Sequence, residues 1–129
     1  MSKWEDLYIQ DSIVQILSTA PSFDPDHHFG CPFMTAYQIA IKFADDYPEK
    51  VRRLNKEIGG KGTGRYDSLS QYLALELSKK IKNRQITNIE GAFLSNLYVK
   101  EMTFNDYGTN IESSVSGNQA SLSMYRLIT

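Results

Sequence analysis

Near residue 97 the spacing of apolar residues changes from a helical repeat to strict alternation, and this change restricts the fold of the 129-residue chain more than any other feature. Apolar residues recurring every three or four positions can bury one stripe of a helix, whereas residues recurring every second position can bury one face of a strand. Runs of helix followed by runs of strand, rather than strict alternation of the two, point to the α+β class.

Upstream of the change, helix-start patterns divide the chain. Ser2 and Glu5 have capping-box spacing, with Trp4, Leu7, Tyr8, Val14 and Leu17 behind them, which predicts a first helix at about 3–18. Pro21, Pro25, Gly30 and Pro32 predict an irregular connection over 19–33. Thr35 and Gln38 form a second box, opening a helix with Tyr37, Ile41, Ala44 and Tyr47 on one face. Pro48 suits the first turn of another helix, running through Val51, Leu54 and Ile58 to a stop at Gly59. Asp67 or Ser68, with Gln71, caps a helix at about 69–82, whose stripe is Leu69, Tyr72, Leu73, Leu77 and Ile81. One or two further helical turns are expected within 88–96. Segments 97–104, 109–115 and 120–128 then read as strands, separated by Asn105-Asp106-Tyr107-Gly108 and Ser116-Gly117-Asn118. The expected fold is α+β: about four helices followed by a three-stranded antiparallel meander. The length suits one domain over 1–129, with an N-terminal helix (1–18), a connection (19–34), a helical part (35–96) and the meander (97–129).

A hydrophobic fraction of 41% and a charged fraction of 22% exclude wholesale disorder. One cysteine excludes an internal disulfide, and no apolar run reaches the roughly 20 residues a membrane helix needs. The opening Met-Ser-Lys-Trp-Glu-Asp lacks the basic-then-apolar pattern of a signal peptide, so a cytoplasmic setting without membrane contact is expected.

Net charge is −1, but its distribution is uneven. Residues 50–84 carry ten bases and three acids, net +7, while the rest carries four bases and twelve acids, net −8. Clustered Lys and Arg are what phosphate neutralisation requires. The candidate nucleic-acid or anion contacts are Arg52, Arg53, Lys61, Arg65, Ser68, Lys79, Lys80, Lys82 and Arg84. The competing explanation is that Lys79, Lys80, Lys82 and Arg84 complement a helix dipole, and that acids elsewhere pair with the basic part. Within the segment, Gly59-Gly60-Lys61-Gly62-Thr63-Gly64 precedes a helix start, a setting that suits an anion. It matches neither a Walker loop nor a dinucleotide fingerprint, and the favoured reading is a plain connection between helices, stopped by Gly59.

Asp24, Asp26, His27, His28 and Cys31 fall within eight residues, but there is no second Cys or His group elsewhere to complete a zinc site. The segment is expected to be structural, without a metal. A Cys31–His28 dyad has nothing in the sequence to orient it, and neither Gly-x-Ser-x-Gly nor His-Glu-x-x-His occurs, so no catalytic residues and no cofactor are assigned.

Helices followed by a small antiparallel sheet resemble a winged helix in element order. That resemblance implies a nucleic-acid-binding or regulatory domain with the 69–82 helix toward the groove. About ten residues separate that helix from the one before it, where a strict helix-turn-helix uses three or four. A second reading is a protein-interaction or homo-oligomeric module, on the strength of Tyr66, Tyr72, Tyr98, Phe104, Tyr107 and Tyr125 and of a final strand free to pair across a two-fold axis. A third is a binder of phosphorylated small ligands at the glycine-rich loop.

Overall fold

The computed structural model describes residues 2–20, 28–59, 68–99, 102–106, 109–112 and 122–128. Among these residues it contains five helices, a three-stranded antiparallel sheet and a separate two-stranded hairpin, with the helices preceding all but one short strand. The α+β class expected from the change of period holds.

Ser2 caps α1 (Lys3–Asp6) by accepting from the Glu5 amide, and α2 (Ile9–Ser18) follows after a break. The single helix expected at 3–18 is interrupted because Tyr8 adopts the left-handed region at φ 53°. At 3.6 residues per turn, an unbroken helix would point Trp4 and Leu7 away from Ile9, Ile13, Ile16 and Leu17. Turning the chain at Tyr8 allows all six to be buried.

The Thr35 box forms in full. Its hydroxyl accepts from the Gln38 amide (3.2 Å), and the Gln38 side chain accepts from the Thr35 amide (2.7 Å), which starts α3 (Ala36–Asp46). Pro48 opens α4 (Pro48–Leu54) as expected. That helix stops earlier than Gly59, because Asn55, a residue that tolerates left-handed geometry, takes φ 55°. Ser68 caps α5 (Leu69–Lys82), whose Leu69, Leu73 and Leu77 are fully buried.

The sheet departs from the expected meander in membership. Its order is β1 (Met34–Thr35), β5 (Leu122–Leu127), β2 (Ile89–Leu94), all antiparallel. Residues 88–96 therefore hold a strand where helical turns were expected. Glu90, Ala92 and Leu94 suit a helix locally, but the backbone of β5 supplies a partner over six residue pairs. Among the described residues of the segment 97–104 only Thr103 and Phe104 belong to a strand, β3 (Thr103–Asp106), which pairs with β4 (Thr109–Glu112) in a hairpin outside the main sheet. The final strand, expected to lie at an edge, is the central one.

Tyr125 shows how the layers join. Its ring lies against Gly91 on the neighbouring strand, where an added Cβ would come within 3.1 Å of it. Its hydroxyl bonds the Ser78 hydroxyl (2.9 Å) and donates to the Ala74 carbonyl (3.1 Å), tying the sheet to α5. Arg126, on the opposite face, pairs with Glu90, donates to the carbonyls of Phe29 and Cys31, and lies 4.4 Å from the Phe33 ring centre. One cross-strand ion pair thus also fastens residues 29–33 to the sheet. Among the described residues, no helix is long and apolar enough to cross a membrane.

Candidate nucleic-acid interface

Helices α4 and α5, with Lys56 and Arg84 just beyond their ends, carry the described part of the basic segment, and an open cleft of about 390 Å³ lies between Lys56 and Tyr72, Leu75, Glu76 and Lys79 of α5. The α5 residues follow the spacing i, i+3, i+4, i+7, so they form one stripe, opposite in role to the buried Leu69-Leu73-Leu77 stripe. Leu75 is 61% exposed there. The Lys56 ammonium lies 5.3 Å from the Tyr72 ring centre, and burial, with Glu76 nearby, holds the Tyr72 phenol above its ordinary range.

The candidate residues divide into two groups. Arg52, Arg53, Lys79, Lys82 and Arg84 are exposed. Arg52 pairs with Glu49 (2.6 Å) and Lys79 with Glu76 (3.2 Å). Among the described residues, no ion pair involves the side chains of Arg53, Lys82 or Arg84. Exposed pairs are worth about 0–1 kcal/mol, too little to hold Arg52 or Lys79 away from a phosphate. Lys79, Lys80 and Lys82 also occupy the last turn of α5, where cations complement the helix dipole.

Lys80 and Ser68 are built into the fold. Lys80 is only 15% exposed, pairs with Glu76 (3.3 Å) and sits 5.1 Å from the Trp4 ring centre, fastening α1 to α5. Ser68 is buried and accepts from the Gln71 amide, while the amides of Leu69 and Ser70 donate to the carbonyls of Glu57 (2.6 Å) and Ile58 (2.9 Å). The first three amides of α5 are therefore all accepted within the chain. Lys50, another base of the segment, donates to the Ser12 hydroxyl (2.6 Å) and lies over the Tyr47 ring; burial pushes its ammonium pKa down, against the opposing effect of Asp11. Lys61, Arg65 and most of the glycine-rich loop lie outside the described residues.

Glu76, held by two ammonium groups, was not legible as more than one acid in a basic run. Burial alone would raise its pKa, but the hydrogen bonds and charges of Lys79 and Lys80 outweigh that and bring it below the ordinary carboxylate value of 4.5. A pKa lowered by folding contributes stability above the unfolded value, and that contribution is lost as pH falls through the folded value. Urea midpoints measured from about pH 7 to about pH 3 should therefore fall more steeply for wild type than for Glu76→Gln, with the two curves converging at the acid end. Parallel curves would show that the pair contributes nothing to folding.

Among the described residues no group of three or more His, Cys, Asp or Glu side chains could hold a metal ion; Asp24, Asp26 and His27 lie outside them. No family model, curated protein or solved structure matches the chain.

Proposed function

We propose that this protein is a nucleic-acid-binding or regulatory domain that contacts phosphates through Arg52, Arg53, Lys79, Lys82 and Arg84. The observation that carries the reading is the exposure of these five cations on α4, α5 and the turn after α5, of which Lys79 lines a cleft with Lys56, Tyr72 and Leu75. Counter-ion release from phosphates needs cations of this kind, reachable and weakly held. In this reading the outward stripe of α5 faces the nucleic acid. A lone cysteine, Cys31, half-buried and unbridged, fits a reducing cytoplasmic setting.

The reading predicts non-specific duplex affinity of order 10⁻⁴ to 10⁻⁶ M near physiological salt, with log K falling linearly as log salt rises. Fluorescence anisotropy on a labelled duplex should show Lys79→Glu/Lys82→Glu/Arg84→Glu reducing affinity at least tenfold and flattening the salt slope by roughly one unit per lost phosphate contact. Loss of binding with an unchanged circular dichroism spectrum is the expected result. Absence of binding by wild type at low salt, or binding indifferent to salt and to the triple variant, overturns the reading.

A further inference from the structure

Among the described residues the main sheet ends on one side at β2, a six-residue strand paired there only with β5. The Ile128 amide donates to the Asn88 carbonyl (3.0 Å), one step before the Ile89–Leu127 pair. Hydrogen-bonded pairs alternate along an antiparallel ladder, so Glu90, Ala92 and Leu94 direct their amides and carbonyls at β5. Ile89, Gly91 and Phe93 direct theirs outward, and among the described residues no hydrogen bond meets them there. Exposed edges are ordinarily protected by lysine, proline or a bulge. This strand has none of these residues, and its only charge, Glu90, is engaged by Arg126.

Two side-chain features share the sheet face to which Ile89, Gly91 and Phe93 belong. Phe93 is 72% exposed, a large ring with little of its surface covered. Its ring lines one side of an open cleft of about 300 Å³ between α5 and the sheet, with Ser78, Ile81, Lys82, Gly91 and Tyr125 among the other walls. Gly91 lines this cleft with the Tyr125 ring of its own chain packed against it, so an incoming ring would lie alongside Tyr125.

We infer that β2 pairs with β2 of a second copy of this chain, antiparallel, about a two-fold axis through Ala92. The strand is its own complement in this register. Residues opposed in an antiparallel pair share a face, so Phe93 lies opposite the second copy's Gly91 and enters its cleft beside Tyr125, while the reverse contact forms at the same time. The outward amides and carbonyls of Gly91 and Phe93 in each copy meet those of the other. Glu90 falls opposite Leu94 of the second copy, which keeps the two carboxylates apart and leaves both Arg126 pairs intact. A ring placed across from a glycine is a recognised cross-strand fit. β2 itself contains none of the candidate phosphate contacts, but Lys82 lines the cleft, so pairing is tested with Phe93→Asp, which leaves all five cations in place.

Light scattering coupled to size exclusion should give twice 14.7 kDa for wild type and a single chain for Phe93→Asp, with both folded by circular dichroism. Phe93 is exposed within one chain, so its replacement leaves that chain's core unchanged. The register is read by oxidation in a Cys31→Ser background. Ala92→Cys places two thiols at directly opposed positions, where Cα atoms stand about 4.5 Å apart, within disulfide reach. Leu94→Cys separates them by four strand steps, about 14 Å. A covalent dimer from Ala92→Cys alone is expected. Wild type that stays a single chain at its highest soluble concentration, a dimer that survives Phe93→Asp, or equal crosslinking at both positions overturns the inference.

Discussion

Replacing Tyr125 with alanine is expected to lower the stability of the folded chain by about 3–5 kcal/mol, the range for truncating a buried aromatic side chain. For a chain of this length each kcal/mol moves the melting temperature by about 4 °C, so the shift should exceed 10 °C. The ring is 2% exposed on the central strand, lies against Gly91 of β2 and contributes to the core with Ile89 and Leu77. Tyr125→Phe separates its two roles. It keeps the ring and removes the hydroxyl that bonds Ser78 and the Ala74 carbonyl, and should cost about 1 kcal/mol. Apolar packing therefore dominates at this position, and the hydroxyl mainly fixes where α5 sits on the sheet. Urea denaturation of both variants tests this order. Equal losses for the two would assign the joint to the hydrogen bonds and refute the packing account.

Gly59→Ala should cost about 2–4 kcal/mol, combining backbone strain with the disturbance of a helix cap. Gly59 has φ +128°, a conformation side chains rarely adopt, and a Cβ there would come within 2.3 Å of the Ser70 hydroxyl and 3.3 Å of Ser68. Ser68 caps α5, and the carbonyls of Glu57 and Ile58, just before the glycine, accept the next two α5 amides. The substitution thus strikes the joint between α4 and α5. Gly30→Ala isolates the backbone strain, since Gly30 also has a positive φ (+83°) but its Cβ would meet only the Arg126 guanidinium at an ordinary 3.6 Å. Adding Ser70→Ala to Gly59→Ala relieves the close approach and should recover part of the loss, leaving the φ strain. A Gly59→Ala protein melting with wild type would mean that this joint does not hold the helices together.

The parts of the fold that were legible in the sequence are those decided over three or four residues. The Thr35–Gln38 box, Pro48 at a helix start and the Ser68 cap before a Leu69-Leu73-Leu77 stripe all form as read. In each case the donor and acceptor are near neighbours, so the free energy that selects the conformation is local. The break at Tyr8 was not legible, because it serves two apolar sets that face different neighbours. Nor was β2, whose residues are compatible with a helix until a strand from more than thirty residues later offers a ladder. The turn residues expected at 116–118 and the serines at 113, 114, 116 and 121 lie outside the described residues.

Much the same holds for the candidate site. Its charge asymmetry is a property of the sequence, and ten bases in residues 50–84 are there whatever the fold. Which of them remain reachable was decided by packing. Trp4 lies under Lys80 although the two are far apart in the chain, and Ser12 takes a hydrogen bond from Lys50 across thirty-eight positions. Arg53, Lys82 and Arg84 stay exposed, and among the described residues no ion pair involves their side chains. Helix caps and total charge are thus properties of the chain itself, the caps because they depend on neighbours a few bonds away. The choice of strand partners, the exposed edge at β2 and the division of cations into anchored and accessible belong to the tertiary structure, because each depends on groups that only the folded chain brings together.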